Sequence, residues 1–357
     1  MLRKFLAFVL FLVILAIFFL NSPKIENPSD LKILAQIEDK KVNLFYNKFQ
    51  LNSILYWNRI NKITKISKNF NFIDIFSENS VFYDGKDFLL SKEESQFFII
   101  DKKTEGKNYL ADGEIALTNK DSNLFAIVKK NGLEITFFQF VPLENRAIEI
   151  KKEVFSSFWT DYKITKNSFY FSLMNGNCYI FNPFESISSE SIIKDSPFIY
   201  SISANSSSNN FIIVSGFGPQ KINLLNKDGN IFYENLLDKN YTSVFSYLLD
   251  NQMLIIKSQF SLLLYRVNWN KEKKLDLLNN INLKGEILDL AEFYSYFVLI
   301  CSDGKDFWLV VYNYESNRFY KKNLREAIYQ IQIIDSNGIF AVYNQDKLWI
   351  LSLNQEL

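Results

Sequence analysis

The sequence predicts an all-β fold that is built from one repeated unit of four strands. Aromatic residues make up 17% of the chain, with 35 Phe and 19 Tyr, and such residues favour strands over helices. Turn signals of the hairpin type recur along the chain at intervals of about 42 to 47 residues, which is the spacing of a repeat architecture. Helix-period patterns with capping residues are hard to find beyond the N-terminal segment.

The N-terminal segment is the part of the chain that the sequence predicts to be helical. Phe5–Leu20 is an uninterrupted apolar run that follows Arg3 and Lys4. As a helix this run is about 24 Å long, close to the thickness of the hydrocarbon core of a bilayer. We therefore expect residues 1–22 to form one transmembrane anchor, and its apolar positions include Phe5, Leu10, Leu15 and Leu20.

The residues that flank this run indicate its orientation in the membrane and whether it is cleaved. Because basic residues precede the run, the N-terminus is expected in the cytoplasm and the rest of the chain on the extracytoplasmic side. Cleavage after Ser22 would place Leu20 at the −3 position and Pro23 at +1, which is a poor signal-peptidase site. An uncleaved single-pass anchor in the cytoplasmic membrane is therefore favoured. A cleaved signal, which would make the protein secreted or periplasmic, is the alternative.

A short linker and a long repeat domain follow the anchor. Residues 23–30 contain Pro23 and Pro28 and are polar, so they cannot continue the helix. Residues 31–357 are predicted to form the repeat domain. Four of the turns expected there carry an Asp-Gly or Asn-Gly pair, the strongest short-range hairpin signal, in which Gly adopts positive φ at no steric cost. These pairs are Asp84-Gly85, Asn131-Gly132, Asn175-Gly176 and Asp303-Gly304.

The same order of strands surrounds most of the turns. An alternating strand such as Ile199–Ala204 comes first, and a continuous apolar strand such as Phe211–Val214 follows it. After the turn come a third strand, such as Leu133–Phe140, and a weaker fourth strand, such as Ala147–Lys151. Middle strands with unbroken apolar runs are typical of sheets that are covered on both faces. Four strands in about 43 residues is the size of one blade of a β-propeller.

The number of turns gives the expected number of blades. Eight turns at this spacing predict a single β-propeller of eight four-stranded blades over Leu31–Leu353. The two ends of this range, Leu31–Ser67 and Ala327–Leu353, look incomplete. If they combine into one blade, the propeller has seven blades, which is the alternative.

In this periodicity the chain resembles β-propeller repeat proteins of the WD40-like and PQQ-like kinds. It matches no specific family among them. The sequence contains no Trp-Asp dipeptide, and a Gly-His pair is impossible without histidine. Phe158-Trp159-Thr160-Asp161 is close to the Tyr-Trp-Thr-Asp motif of another propeller family, but it occurs once. The resemblance therefore implies an architecture and no particular activity.

Composition excludes several classes of function. The chain has no histidine, which removes Ser-His-Asp triads and histidine metal sites. The formal net charge is +1, and the basic runs Lys271–Lys274 and Lys321–Arg325 are too short for a nucleic-acid surface. Cys178 and Cys301 lie in apolar strands and are expected to be buried and not disulfide-bonded.

The acidic turns are the features that come nearest to a chemical site. Asp84 with Asp87, and Asp303 with Asp306, lack the other carboxylates of a calcium loop, and an Asp before Gly is explained by turn chemistry. No catalytic, cofactor-binding or metal-binding residue is therefore assigned. We expect a non-enzymatic scaffold that binds an envelope protein or a wall component. The alternative is a carbohydrate hydrolase or lyase that uses Asp and Glu at the channel mouth.

Overall fold

The computed structural model describes residues 32–353 apart from 39–40, 45–54, 60–61, 68, 77–80, 186, 193–197, 205–209, 250–251, 272–273, 294–295, 314–315, 317, 325 and 335–337. Every regular element in this part of the chain is a β-strand. None of these residues belongs to a helix long and apolar enough to cross a membrane. The anchor predicted at residues 1–22, with Phe5, Leu10, Leu15 and Leu20, and the linker at 23–30 lie outside the described residues.

The described strands form eight antiparallel sheets, and the fold is an all-β eight-bladed propeller. Six of these sheets have four strands, one has three and one has five. The prediction of an all-β propeller with eight blades is therefore confirmed. By their contacts the strands divide between two units, which are Ser53–Glu286 and the described residues of Met1–Asn52 with Ile287–Leu357.

The unit Ser53–Glu286 holds six sheets whose strands follow one another in chain order. The first sheet has three described strands: β3 (Leu55–Arg59), β4 (Lys62–Ile66) and β5 (Phe72–Phe76). The other five sheets have four strands each: β6 (Val81–Asp84), β7 (Phe88–Glu93), β8 (Gln96–Asp101) and β9 (Lys107–Asp112); β10 (Ile115–Leu117), β11 (Leu124–Val128), β12 (Glu134–Val141) and β13 (Arg146–Val154); β14 (Trp159–Ile164), β15 (Phe169–Leu173), β16 (Asn177–Asn182) and β17 (Ile187–Ile192); β18 (Ile199–Ala204), β19 (Phe211–Ser215), β20 (Lys221–Leu225) and β21 (Ile231–Leu236); and β22 (Phe245–Leu249), β23 (Met253–Lys257), β24 (Ser261–Val267) and β25 (Leu275–Asn282).

The other unit holds one four-stranded sheet and the five-stranded terminal sheet. The four-stranded sheet consists of β26 (Glu286–Phe293), β27 (Tyr296–Ser302), β28 (Phe307–Asn313) and β29 (Arg318–Leu324). The terminal sheet has the order β2-β1-β32-β31-β30, with β1 (Lys32–Glu38), β2 (Lys41–Leu44), β30 (Gln330–Ile333), β31 (Ile339–Tyr343) and β32 (Lys347–Ser352).

The terminal sheet explains why there are eight blades and not seven. Strand β1 pairs with β32 from Lys32 opposite Ser352 to Glu38 opposite Lys347, so the start of the domain completes the sheet of its last strands. The seven-blade alternative required the whole of Leu31–Ser67 to join that sheet. Instead only β1 and β2 do so, while β3, β4 and β5 hydrogen-bond to one another in a separate sheet. The seven-blade alternative is therefore wrong.

Burial follows the position of a strand within its sheet. Five of the second strands are buried at every position, and these are β11, β15, β19, β23 and β31. In contrast, the fourth strand β13 has no buried residue. The unbroken apolar runs of the second strands thus reflect cover on both faces, as the sequence indicated.

Aromatic side chains fill the space between neighbouring sheets. The ring centroid of Phe137 in β12 lies 4.8 Å from that of Phe169 in β15 and 5.1 Å from that of Phe181 in β16. Burial of each such side chain stabilises the fold by about 1.5–3 kcal/mol. Cys178 and Cys301 are also buried, and neither forms a disulfide bond, as expected from their apolar surroundings in sequence.

Candidate functional site

Antiparallel pairing brings two segments of each four-stranded sheet together at one end. The second turn, between the second and third strands, lies at that end, and so does the start of the first strand, because successive strands reverse direction. We call it the second-turn end. In three successive sheets a backbone N–H of the second turn donates to a carbonyl near the start of the first strand: Met174 to Phe158 at 2.8 Å, Gly216 to Phe198 at 3.0 Å and Gln259 to Thr242 at 3.4 Å.

Two of the Asn-Gly pairs form second turns. Asn131-Gly132 joins β11 to β12, and Asn175-Gly176 joins β15 to β16. The Asn131 side-chain oxygen accepts a hydrogen bond from the Leu133 N–H at 3.1 Å. Gly132 and Gly176 have φ values of 72° and 85°. The Asn and Gly at these positions therefore serve the geometry of the turn.

Asp303-Gly304 forms the second turn between β27 and β28. The Asp303 carboxylate accepts hydrogen bonds from the Lys305 N–H at 3.0 Å and from the Asp306 N–H at 2.9 Å. Gly304 has φ +88°, with open space where a Cβ would stand. The carboxylate thus binds its own turn, and turn chemistry accounts for this Asp.

Asp84-Gly85 occupies a different place from the other three pairs. It joins the first strand β6 to the second strand β7, so it lies at the opposite end of its sheet. Asp84 pairs with the Lys102 ammonium at 2.6 Å, and Asp87 accepts a hydrogen bond from the Asn123 side chain at 2.7 Å.

The second turn of that sheet has no glycine signal. It falls at Glu94 and Ser95, between β7 and β8, and Glu94 takes φ +56° without being Gly or Asn. Sequence reasoning therefore mistook the first turn of this sheet for its second turn. Among the described residues, no group of three or more Cys, Asp or Glu side chains could hold a metal ion.

Large apolar side chains are exposed at the second-turn ends of three successive sheets. Phe158 is 53% exposed, Phe217 64% and Phe260 54%. Met174 and Phe245 are also exposed there, and we call these five residues the apolar rim. Large apolar side chains exposed at the same end of neighbouring sheets are candidates for an interaction site. Sequence reasoning missed the rim, although a signal was present: Phe217 and Phe260 lie in turns between strands, where side chains are commonly exposed.

The turn that carries Phe217 is fixed by its neighbours. The ring of Phe217 stacks on Phe198, with centroids 5.4 Å apart, and Phe198 meets Tyr200 edge to face at 4.9 Å. The side chain of the buried Gln220 donates to the Tyr241 carbonyl and accepts from the Tyr241 N–H, both at 2.7 Å. A surface that is ordered before binding loses less conformational entropy when a partner binds.

A chain of buried and partly buried polar groups connects the first strands of neighbouring sheets. The Asp161 carboxylate in β14 accepts hydrogen bonds from the Ser201 hydroxyl at 2.6 Å and from the Ile202 N–H at 3.0 Å, both in β18. It also accepts from the Tyr162 N–H at 2.8 Å. Ser201 in turn accepts from the Ser246 N–H of β22 at 2.8 Å. We call Asp161, Ser201 and Ser246 the polar clasp, since they connect the first strands of three neighbouring sheets.

The environment of Asp161 favours its neutral form. Burial raises the pKa of this carboxyl above its ordinary value, although the hydrogen bonds from Ser201, Ile202 and Tyr162 act in the opposite direction. The same arrangement recurs at Asp289 of β26, which accepts from the Ile331 N–H of β30 at 2.8 Å. Because these carboxylates accept from strands of the neighbouring sheet, the arrangement positions the blades.

The comparisons with known proteins show the fold and no family. No protein-family model matches this chain, and no curated protein sequence matches it. Many solved structures are similar to it, and three of them serve as examples. BamB from Moraxella catarrhalis has a TM-score of 0.59 at 10% identity, with 90% of this chain and 99% of that chain covered. The Cps50 (Swd1) β-propeller domain from Myceliophteria thermophila has 0.53 at 13%, with 78% and 97% covered. Hsv2 from Kluyvelomyces marxianus has 0.53 at 14%, with 77% and 96% covered.

These neighbours are WD40 and BamB propellers. The expected resemblance to β-propeller repeat proteins is therefore confirmed. At such low identity the likeness extends to the architecture alone.

Proposed function

We propose that this chain is a non-enzymatic protein-binding scaffold of the cell envelope. Its N-terminal segment would hold it in the cytoplasmic membrane, with the propeller on the extracytoplasmic side. The observation that carries the proposal is the apolar rim, in which large side chains stand exposed on ordered turns. The partner would be an envelope protein or a wall component that covers this rim.

The energetics of the rim suit a protein contact. Burial of an exposed Phe side chain contributes about 1.5–3 kcal/mol, so Phe158, Phe217 and Phe260 together could supply the centre of an interface. Interfaces draw most of their binding energy from a few large side chains that pack into pockets of the partner. The methylenes and sulfur of Met174 add an adaptable apolar surface beside Phe158.

The comparisons support a scaffold in a general way. The structural neighbours are WD40 and BamB propellers, and such propellers are consistent with a role in protein interaction. The fold alone does not specify a function, because binding and catalysis both occur on propellers. The membrane location is supported by the apolar run Phe5–Leu20 and the basic residues before it.

The binding face can be tested with a photoreactive amino acid in the full-length chain. The probe would replace Phe217 in the apolar rim or, as a matched control, Phe184, which is 56% exposed and lies in the turn between β16 and β17 at the opposite end of its sheet. We expect a discrete adduct in irradiated cells from the Phe217 position and none from the Phe184 position. Equal yields from both positions, or no adduct from either, would contradict the proposal.

The location requires a separate experiment. Cells that keep an intact cytoplasmic membrane, but from which the layers outside it have been removed, would be treated with a protease. The propeller would then be detected by antibody. We expect the propeller to be digested and to sediment with the membrane fraction before digestion. Protection until the membrane is lysed would place the propeller in the cytoplasm and contradict this part of the proposal.

A further inference from the structure

We infer that two copies of this chain associate through strand β5, whose free edge pairs with the same edge of the second copy. The two strands run antiparallel about a two-fold axis at Asp74. The inference concerns a different surface from the apolar rim and does not depend on the proposed function. Two observations carry it: the regular, apolar edge of β5 and its palindromic sequence.

Strand β5 takes the place of a fourth strand at the edge of its sheet. Among the described strands it pairs with β4 alone. The turn before it resembles the third turn of the sheet β18–β21. Ser67 N–H donates to the Asn71 carbonyl at 3.0 Å, as Asn226 N–H does to the Asn230 carbonyl at 3.1 Å. Because a third turn leads into the fourth strand, β5 is the outer strand of its sheet.

The register of β5 shows which of its backbone groups face outward. Ser67 and Asn71 form a hydrogen-bonded pair just before the strand, and the pairing of β4 with β5 continues from them without a register shift. Bonded and non-bonded pairs alternate along an antiparallel ladder. Every second residue of β5 therefore directs its N–H and C=O away from β4. These residues are Phe72, Asp74 and Phe76.

The other fourth strands carry features that discourage pairing at an edge. Bulges and lysines have this effect in native sheets. A register shift interrupts β9, β13, β21 and β25, and β29 contains Lys321 and Lys322. The regular strand β17 has two apolar residues in six. In contrast, β5 has no register shift and no basic residue, and four of its five residues are Phe or Ile.

The sequence of β5 makes this edge complementary to itself. It reads Phe-Ile-Asp-Ile-Phe from either end, with Asp74 at its centre. In an antiparallel pair about Asp74, Phe72 of one copy lies opposite Phe76 of the other, and the two isoleucines beside Asp74 lie opposite each other. Aromatic residues in opposite positions stabilise a strand pair. The contact is the same on both copies, so it closes as a dimer.

Asp74 limits the strength of this contact. Its carboxylate accepts a hydrogen bond from the Thr64 hydroxyl at 2.8 Å. The two-fold axis places the two Asp74 side chains opposite each other on one face, and like charges in opposite positions destabilise a strand pair. The contact is also small, because one strand of five residues takes part from each copy. We therefore expect a weak and reversible dimer.

The dimer can be measured by sedimentation equilibrium of the full-length chain in a mild detergent over a range of protein concentrations. Three variants would be compared with the wild type. Asp74→Asn removes the opposed charges, and Ile73→Lys introduces a charge at a residue that is 48% exposed. Ile148→Lys is the matched control, because Ile148 is 40% exposed and lies in the interrupted fourth strand β13. Circular dichroism would verify that each variant is folded.

We expect Asp74→Asn to tighten the dimer by about two- to fivefold and Ile73→Lys to weaken it by at least about threefold. Ile148→Lys should leave it unchanged. The inference is overturned if the wild type stays monomeric at high protein concentration, or if it forms a dimer that responds equally to Ile73→Lys and Ile148→Lys. A weaker dimer in a folded Asp74→Asn variant would also overturn the axis at Asp74.

The register can be tested separately by disulfide crosslinking. In the inferred pair the two Asp74 Cα atoms are about 5.5 Å apart, within the range of a disulfide, whereas the two Ile73 Cα atoms are about 8 Å apart and outside it. Asp74→Cys should therefore form a covalent dimer on mild oxidation, and Ile73→Cys should not. The native Cys178 and Cys301 are buried, so the wild type serves as the blank. Equal crosslinking of both variants would contradict this register.

Discussion

The hydroxyl of Ser201 donates a hydrogen bond to the carboxylate of Asp161 at 2.6 Å. The two residues lie in β18 and β14, the first strands of neighbouring sheets, which belong to different hydrogen-bonded ladders. The same carboxylate accepts the Ile202 N–H. A side chain of one blade thus satisfies a backbone donor of the next, where sheet hydrogen bonding ends.

The first prediction concerns the acceptor oxygens of Asp161. Asp161→Asn keeps the shape but has one acceptor oxygen, whereas the donors Ser201 and Ile202 bind one oxygen of Asp161 and the Tyr162 N–H binds the other, so at least one donor loses its acceptor. An unsatisfied buried donor costs about 1–3 kcal/mol. We expect the free energy of unfolding to fall by about this amount in urea titrations followed by circular dichroism.

The matched control is Asp121→Asn, because Asp121 is exposed in the turn between β10 and β11. This variant should unfold within about 0.5 kcal/mol of the wild type. Equal losses of stability in both variants would show that the polar clasp does not stabilise the contact between blades.

The second prediction is a pH dependence with a definite sign. Burial holds the pKa of Asp161 above its ordinary value of 3.8 in the folded protein. Between the ordinary and the folded pKa the folded state binds more protons than the unfolded state. The stability from this group is therefore fully present below about pH 3.8 and is lost as pH rises through the folded pKa.

The Asp161→Asn variant has no titratable group at this position. The unfolding free energy of the wild type minus that of Asp161→Asn should therefore decrease as pH rises from about 3.8. Urea titrations at a series of pH values measure this difference. A difference that grows with pH would mean that the hydrogen bonds to the carboxylate outweigh its burial and that the pKa is lowered.

The third prediction is energetic coupling within the polar clasp. Ser201→Ala removes the donor to Asp161 and also the acceptor of the Ser246 N–H, so it should cost about 1–3 kcal/mol. Residues that share a hydrogen-bond network are not additive. We expect the double variant with Asp161→Asn to lose at least about 0.5 kcal/mol less than the sum of the single losses. Strict additivity in this double-mutant cycle would exclude a connected network.

The fourth prediction compares two glycines with positive φ. Gly216 has φ +94°, and a Cβ there would stand 2.8 Å from the Pro219 carbonyl oxygen, whereas the site of a Cβ at Gly304 is open. Gly304→Ala should cost only the strain of a positive φ, about 1 kcal/mol or slightly more. Gly216→Ala should cost more, because the backbone oxygen must also move. Thermal unfolding of the two variants would rank them, and the reverse order would contradict the geometry of this turn.

The fifth prediction compares the loss of stability when an exposed residue of the apolar rim and a buried core residue are each replaced by Ala. Phe217→Ala should change the unfolding free energy by less than about 1 kcal/mol, because the side chain is largely exposed. Phe211→Ala in the buried strand β19 should cost about 3–5 kcal/mol. Chemical denaturation of both variants checks this. A large loss in Phe217→Ala would assign Phe217 to the core instead of to a binding surface.

The second strands show what could be predicted well. The predicted second strand Phe211–Val214 is found as β19, which ends one residue later at Ser215, because burial on both faces leaves a continuous apolar signature in the sequence. The phase of the repeat was harder to predict. The second turn of the sheet β6–β9, at Glu94 and Ser95, carries no Asn-Gly or Asp-Gly pair. The pair Asp84-Gly85 lies in the first turn of that sheet and was taken for the second.

The candidate site was largely invisible at the sequence level. Asp161 was noted only as part of a near-match to a family motif, and nothing in its neighbourhood indicates that its partner is Ser201, some 40 residues away. Phe217 stands between Gly216 and Gly218 in a turn, whereas Phe211 begins the apolar run of β19, so the sequence separates these two environments. It does not show that Phe158 and Phe217 are exposed at the same end of neighbouring sheets.

By itself the sequence determined the all-β class and the repeat length, because these depend on local alternation, apolar runs and turn residues, and it predicted eight blades with seven as the alternative. Only the tertiary structure decided that β1 and β2 join the last strands, that Asp161 connects two blades, and which aromatic side chains remain exposed. The physical reason is that a strand's own residues specify how its side chains alternate between the two faces. The strand to which it hydrogen-bonds, and the segments that bury its faces, are set by contacts between parts of the chain that are far apart in sequence.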